Sequence, residues 1–98
     1  RVDLIAIQSK SNRLHVFEFK TKFNPKSTNA VVTKTEILYG NYRWLIIDSN
    51  QLTAELEDLT QNRGIGLISN NRFSDDFKTI VKPKAAINKP DSFIYFSI

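Results

Sequence analysis

Leu14-His15-Val16-Phe17-Glu18-Phe19-Lys20 (LHVFEFK) is dense in aromatic and β-branched residues, the composition of a strand. Successive side chains on a strand point to opposite sides, so Leu14, Val16, Glu18 and Lys20 share one face and His15, Phe17 and Phe19 the other. Both faces are mostly apolar, which predicts a central strand covered on both sides. Upstream, Val2–Ile7 (VDLIAI) reads as an apolar strand interrupted by Asp3, and Gln8–Arg13 (QSKSNR) as a polar turn. Together they predict a β-hairpin. A turn centred on Lys10-Ser11 sets Ile7 against Leu14, Ile5 against Val16 and Asp3 against Glu18. It sets Leu4 against Phe17 and Val2 against Phe19, with His15 beside Ala6. Apolar then meets apolar and carboxylate meets carboxylate, whereas a one-residue slip would mix the faces.

Working outward, Asn24-Pro25 ends the strand pattern. Ser27–Tyr39 predicts a helix with Ala30, Val31, Lys34, Ile37 and Leu38 on one side, Ser27 or Thr28 as its cap and Gly40 at its C-terminal end. Arg43–Asp48 (RWLIID) is a short apolar strand. Gln51–Asn62 is a second helix with a Leu52, Leu56, Leu59 stripe, capped by Asn50 and ended by Gly64. Ile65–Ser69 (IGLIS) is a buried strand, Asn70-Asn71 a turn, Phe77–Lys82 a further strand, 83–90 a loop and Phe93–Ile98 (FIYFSI) a last strand. The order β-β-α-β-α-β predicts an α/β domain. Its central mixed sheet is an antiparallel hairpin followed by parallel strands, flanked by helices.

The chain has 98 residues, enough for one core. It has no cysteine, which excludes a disulfide scaffold and a thiolate site, and one histidine, His15, which argues against a multi-histidine metal centre. No leader or membrane span is visible, and the domain reads as cytoplasmic. Residues 1–43 carry eight Lys and Arg against three acids, whereas residues 44–98 carry six against seven. The basic excess therefore lies in the first half and suits a polyanionic partner.

Directly opposed residues of a hairpin stand about 4.5–5.5 Å apart at Cβ. Two carboxylates that close repel, so either one takes a proton or a cation sits between them. Mg²⁺ fits best, with Asp3 and Glu18 as carboxylate ligands and the backbone carbonyl of Phe19 as a third; Mn²⁺ is the substitute. Lys20, two residues on, is placed to hold a metal-bound water and to stabilise phosphate charge. The competing account is an internal ion cluster in which Lys20 neutralises Glu18. His15, on the other face, reads as a packing residue.

Asp3, some fifteen residues, then Glu18-Phe19-Lys20 resembles the D…(D/E)xK signature of the PD-(D/E)XK, or restriction-endonuclease-like, nuclease superfamily. The likeness runs from Val2 to Ser69. It implies a restriction-endonuclease-like core in which Asp3, Glu18 and Lys20 are catalytic and the two acids hold Mg²⁺. The implied reaction is endonucleolytic hydrolysis of DNA, with RNA left open. Lys10, Arg13, Lys22, Lys26 and Lys34 are candidate phosphate contacts. The family's usual proline before the first acid is replaced by Val2, and its opening helix and first strand would precede Arg1, so residues 1–98 read as one nuclease-like domain cut from a longer chain. The alternative is a catalytically inactive nuclease-fold module for binding or assembly, a homodimer or a strand-edge partner being engaged through Phe93–Ile98.

Overall fold

A left-handed residue in the first turn sets the geometry of everything near it. The computed structural model describes residues 4–10, 12–20, 22–71, 73–74 and 76–86. Strand β1 (Leu4–Gln8) and strand β2 (Leu14–Phe19) form the expected antiparallel hairpin. Their loop, however, is closed by Ser9 N donating to Arg13 O at 2.9 Å and Asn12 N to Ser9 O at 3.0 Å, with Asn12 at φ 62°. Asparagine tolerates that conformation, and it completes a three-residue loop where the sequence suggested two. The extra residue shifts the register by one. Leu4 stands opposite Glu18, Ile5 opposite Phe17, Ala6 opposite Val16 and Ile7 opposite His15. The expected pairing of Asp3 with Glu18 is thereby corrected, since Leu4 holds that place. So is the placing of His15 beside Ala6. Asp3 itself lies outside the described residues, as do Val2 and Phe93–Ile98.

After β2 the chain makes a 3-10 turn at Pro25–Ser27, whose Asn24 side chain accepts from Lys26 N at 2.9 Å. It continues as helix α1 (Thr28–Glu36) and strand β3 (Tyr42–Asp48). A second 3-10 turn, Ser49–Gln51, leads to helix α2 (Ala54–Asn62), strand β4 (Gly66–Asn71) and strand β5 (Asp76–Val81). The sheet order is β1-β2-β3-β4-β5, with β2, β3 and β4 parallel and β1 and β5 antiparallel on the two edges. This is an α/β fold on a mixed five-stranded sheet.

Two right-handed crossovers that advance in the same direction put both helices on the same face. Accordingly Val31 and Val32 of α1 and Leu56 of α2 pack with Leu45, Ile47, Leu67 and Val81 in one core. The Leu52, Leu56, Leu59 stripe is confirmed, with Leu56 fully buried and the other two packed against the core. Helix α1 buries a different stripe from the one expected: Thr28, Val31, Val32 and Thr35 are inside, while Ile37 is 75% exposed. Threonine is accommodated because its hydroxyl bonds back to the helix, Thr35 Oγ1 to Val31 O at 3.0 Å and likewise Thr60 Oγ1 to Leu56 O at 2.9 Å in α2.

The helix ends differ from the sequence reading in instructive ways. Thr53, not Asn50, caps α2, its hydroxyl accepting from Leu56 N at 3.1 Å. Gly64 ends α2 as expected, at φ 71°. Gly40 is not a helix terminus: α1 stops at Glu36, and a Cβ at Gly40 would collide with the Val16 side chain. Asn70 and Asn71 belong to β4, and the turn begins after them, Ser74 N donating to Asn71 O at 3.2 Å.

Candidate functional site

Glu18 and Lys20 lie two residues apart at the C-terminal end of β2, and β2 continues its pairing one step further, Lys20 N donating to Ile46 O at 2.8 Å. Glu18 is level with Leu45 in the parallel register, so it stands on the face that the helices cover. The polypeptide then turns at Asn24-Pro25 and enters α1, which crosses back over that face. The crossover leaves a cleft of about 330 Å³ between the end of β2 and the start of α1. Glu18, Lys20, Lys22 and Lys34 all line it, with Phe23 and Val31 forming an apolar floor toward the core. Ligand sites of open α/β sheets lie at this end of the strands.

The electrostatics of the cleft are simple. One carboxylate faces three ammonium groups, and no ion pair joins Glu18 to Lys20, Lys22 or Lys34. The Lys20–Glu18 pair of the competing ion cluster is not formed among the described residues, and the Asp3 part of that cluster lies outside them. The four side chains line one open cleft, and an excess of like charge around a cleft with low-dielectric walls raises the positive potential within it.

Of the residues expected to meet a phosphate backbone, Lys22 and Lys34 are in this cleft with Lys20. Lys26 is exposed on the turn before α1 and does not line it. Lys10 and Arg13 are exposed at the β1–β2 loop, at the opposite end of β2. The backbone of Phe19 lies between Glu18 and Lys20 at the cleft edge. The second expected metal ligand, Asp3, is outside the described residues, and the hairpin gives its expected position to Leu4. Among the described residues no three His, Asp or Glu side chains gather as a metal-binding group.

Sequence reasoning missed that the crossover would bring Lys34 into one cleft with Glu18. Lys34 is a candidate phosphate contact by sequence, but the sequence holds no local signal that helix α1 would bring it into the cleft with Glu18. A second group of cations sits at the other end of the sheet. Arg43 donates to Glu36 O, and Arg63 donates to Asn29 Oδ1 at 2.9 Å and Thr33 Oγ1 at 2.6 Å and pairs with Glu36 Oε1 at 3.4 Å. These guanidiniums serve helix carbonyls and neighbouring side chains, the ordinary work of cations at helix C-termini. No described helix is long and apolar enough to cross a membrane. No protein-family model matches the chain, and no curated protein or solved structure matches it.

Proposed function

We propose that this domain belongs to a divalent-metal-dependent nuclease that hydrolyses DNA phosphodiester bonds, with a restriction-endonuclease-like core. The observation that carries the reading is the convergence of Glu18 and Lys20 with Lys22 and Lys34 in one cleft at the end of β2. Three unpaired ammonium groups suit a phosphodiester backbone, and the carboxylate among them is the one donor type that repels phosphate and attracts Mg²⁺.

The donor set fits a metal held jointly with substrate. A lone dication would meet three lysines and one carboxylate, an unfavourable balance, but a polyanion in the cleft reverses it. Glu18 and the Phe19 carbonyl would be the protein ligands that this cleft offers. When bound, the metal supplies a Lewis acid for the phosphoryl oxygen. Lys20 would donate a hydrogen bond to the oxygen of the attacking water, orienting it, and would offset charge developing on the phosphate. Lys22 and Lys34 hold the flanking backbone.

A second reading has its own observation. Leu4, rather than a carboxylate, stands opposite Glu18, and this favours a nuclease-fold module that binds nucleic acid without cutting it. Nicking of supercoiled plasmid in Mg²⁺ and in chelator, alongside anisotropy with a labelled duplex, separates the two. The nuclease reading expects metal-dependent nicking that disappears in Glu18→Gln and in Lys20→Ala, with duplex binding retained in Glu18→Gln. Binding without nicking in the parent protein supports the module. Absence of both removes the cleft as a nucleic-acid site.

A further inference from the structure

Capping the helix ends leaves part of Arg43 unaccounted for. Arg43 stands near the start of β3, level with Val16 and two residues before Leu45, on the face that the helices cover. Its Nη1 donates to Glu36 O, but its Nε is buried and no described residue accepts from it. A buried donor without an acceptor is costly, more so on a charged group, and native structures keep few of them. Capping Glu36 O needs a single N–H, which a lysine would supply, so that bond does not explain a guanidinium buried at its Nε edge.

Arg43 lines an open cleft of about 370 Å³ together with Asn62, Arg63, Gly64 and Lys84. Its walls are tied down by the backbone. Gly64, at φ 71°, donates to Gln61 O at 3.3 Å and accepts from Lys84 N at 3.0 Å. Ala86 N donates to Asn41 O at 2.8 Å, so the segment after β5 is fastened at two points beside the end of α2. The approach is close: a Cβ at Gly64 would stand 3.3 Å from that of Lys84.

The charge of this cleft is one-sided. Three of its lining residues are cations, and among the described residues none is a carboxylate. The acid nearby, Glu36, is paired with Arg63, whose guanidinium is also held by Asn29 and Thr33. Lys84 is exposed and has no ion pair among the described residues. The carbonyl ends of α1 and α2 carry partial negative charge that offsets some of this excess, and the cleft stays positive. The matching ligand is an oxyanion. The Nε edge of a guanidinium forks onto two oxygens. A phosphate group that accepts the fork keeps further oxygens for a donor from another direction, which a carboxylate does not.

We propose that this cleft binds a phosphate group, Arg43 forking onto it from the sheet, Lys84 closing on it from the segment after β5 and Arg63 adding charge. The site lies at the opposite end of the sheet from Glu18, so it stands or falls apart from the nuclease reading. The phosphate belongs either to a free phosphorylated molecule or to a nucleic-acid backbone, for which Lys10 and Arg13, exposed at the same end of the sheet, continue the basic surface.

Inorganic phosphate titrated into the isotope-labelled full chain at constant ionic strength should give saturable shifts of the Gly64, Lys84 and Ala85 amides. Lys84→Gln should weaken that binding several-fold, and Arg43→Lys, which keeps the charge and removes the fork, should weaken it further. Lys84 is exposed, so Lys84→Gln keeps the fold and decides the matter should Arg43→Lys unfold. Anisotropy with a labelled duplex identifies the source. Weaker duplex binding in Lys84→Gln places a backbone phosphate in the site. Unchanged or absent duplex binding beside weakened phosphate binding assigns the site to a free phosphorylated molecule, and both results uphold it. Shifts that fail to saturate, that acetate reproduces at equal concentration, or that survive Lys84→Gln unaltered overturn the proposal.

Discussion

The two faces of the sheet are made from alternate residues of the same strands, yet they differ in what closes them. On the helix side Leu45, Ile47 and Leu67 are inaccessible to solvent, held under Val32 and Leu56. On the other side His15, Phe17, Tyr42 and Trp44 are half-buried by one another. The difference teaches that apolar alternation identifies a face that avoids water without identifying its cover. One face is closed by elements threaded between the strands, an outcome forced by crossover handedness. The other waits on something outside that arithmetic.

The largest test of this contrast is a truncation on each side. Ile47→Ala should lower unfolding stability by about 2–5 kcal/mol in urea titration, because a fully buried side chain leaves a cavity. Gly66→Ala comes next, at about 1–3 kcal/mol, since the added methyl must displace the Trp44 ring. A loss there together with a changed Trp44 spectrum would show that the aromatic row is as specifically packed as the core. Thr53→Ala, which removes the α2 cap, should cost about 1 kcal/mol and touch only the helix side. Smallest is Ile7→Ser on the exposed rim of the aromatic face, within about 0.5 kcal/mol. Should Ile7→Ser rival Ile47→Ala, the asymmetry between the faces would be wrong. For the cleft, removing one of Lys22 or Lys34 should flatten the salt dependence of duplex binding by about 0.9 in the log–log slope, measured by anisotropy.

The strands were legible because period-two alternation is a local property; LHVFEFK and RWLIID each carry it within a few residues. The hairpin register was not, because it depends on whether Asn12 enters the left-handed region, a choice made by loop closure and not by the strands it joins. Apolar residues on both sides of β2 suggested helices on both sides, but ring-on-ring packing satisfies part of that demand within one face. Gly40 looked like a helix terminator because its role, room for Val16 from a distant strand, leaves no local trace. In the cleft, Glu18 and Lys20 were visible as neighbours on one face, whereas Lys34 arrives by tertiary crossover.

Arg63 has a mechanical consequence. It sits just beyond α2, and its guanidinium reaches Asn29, Thr33 and Glu36, which lie on successive turns of α1. A fluctuation that lifts either helix has to break this fork, which adds a bias toward the two leaving the strands together. Amide protons of α1 and α2 should accordingly exchange with solvent as one cooperative unit, slower than those of the β5 edge.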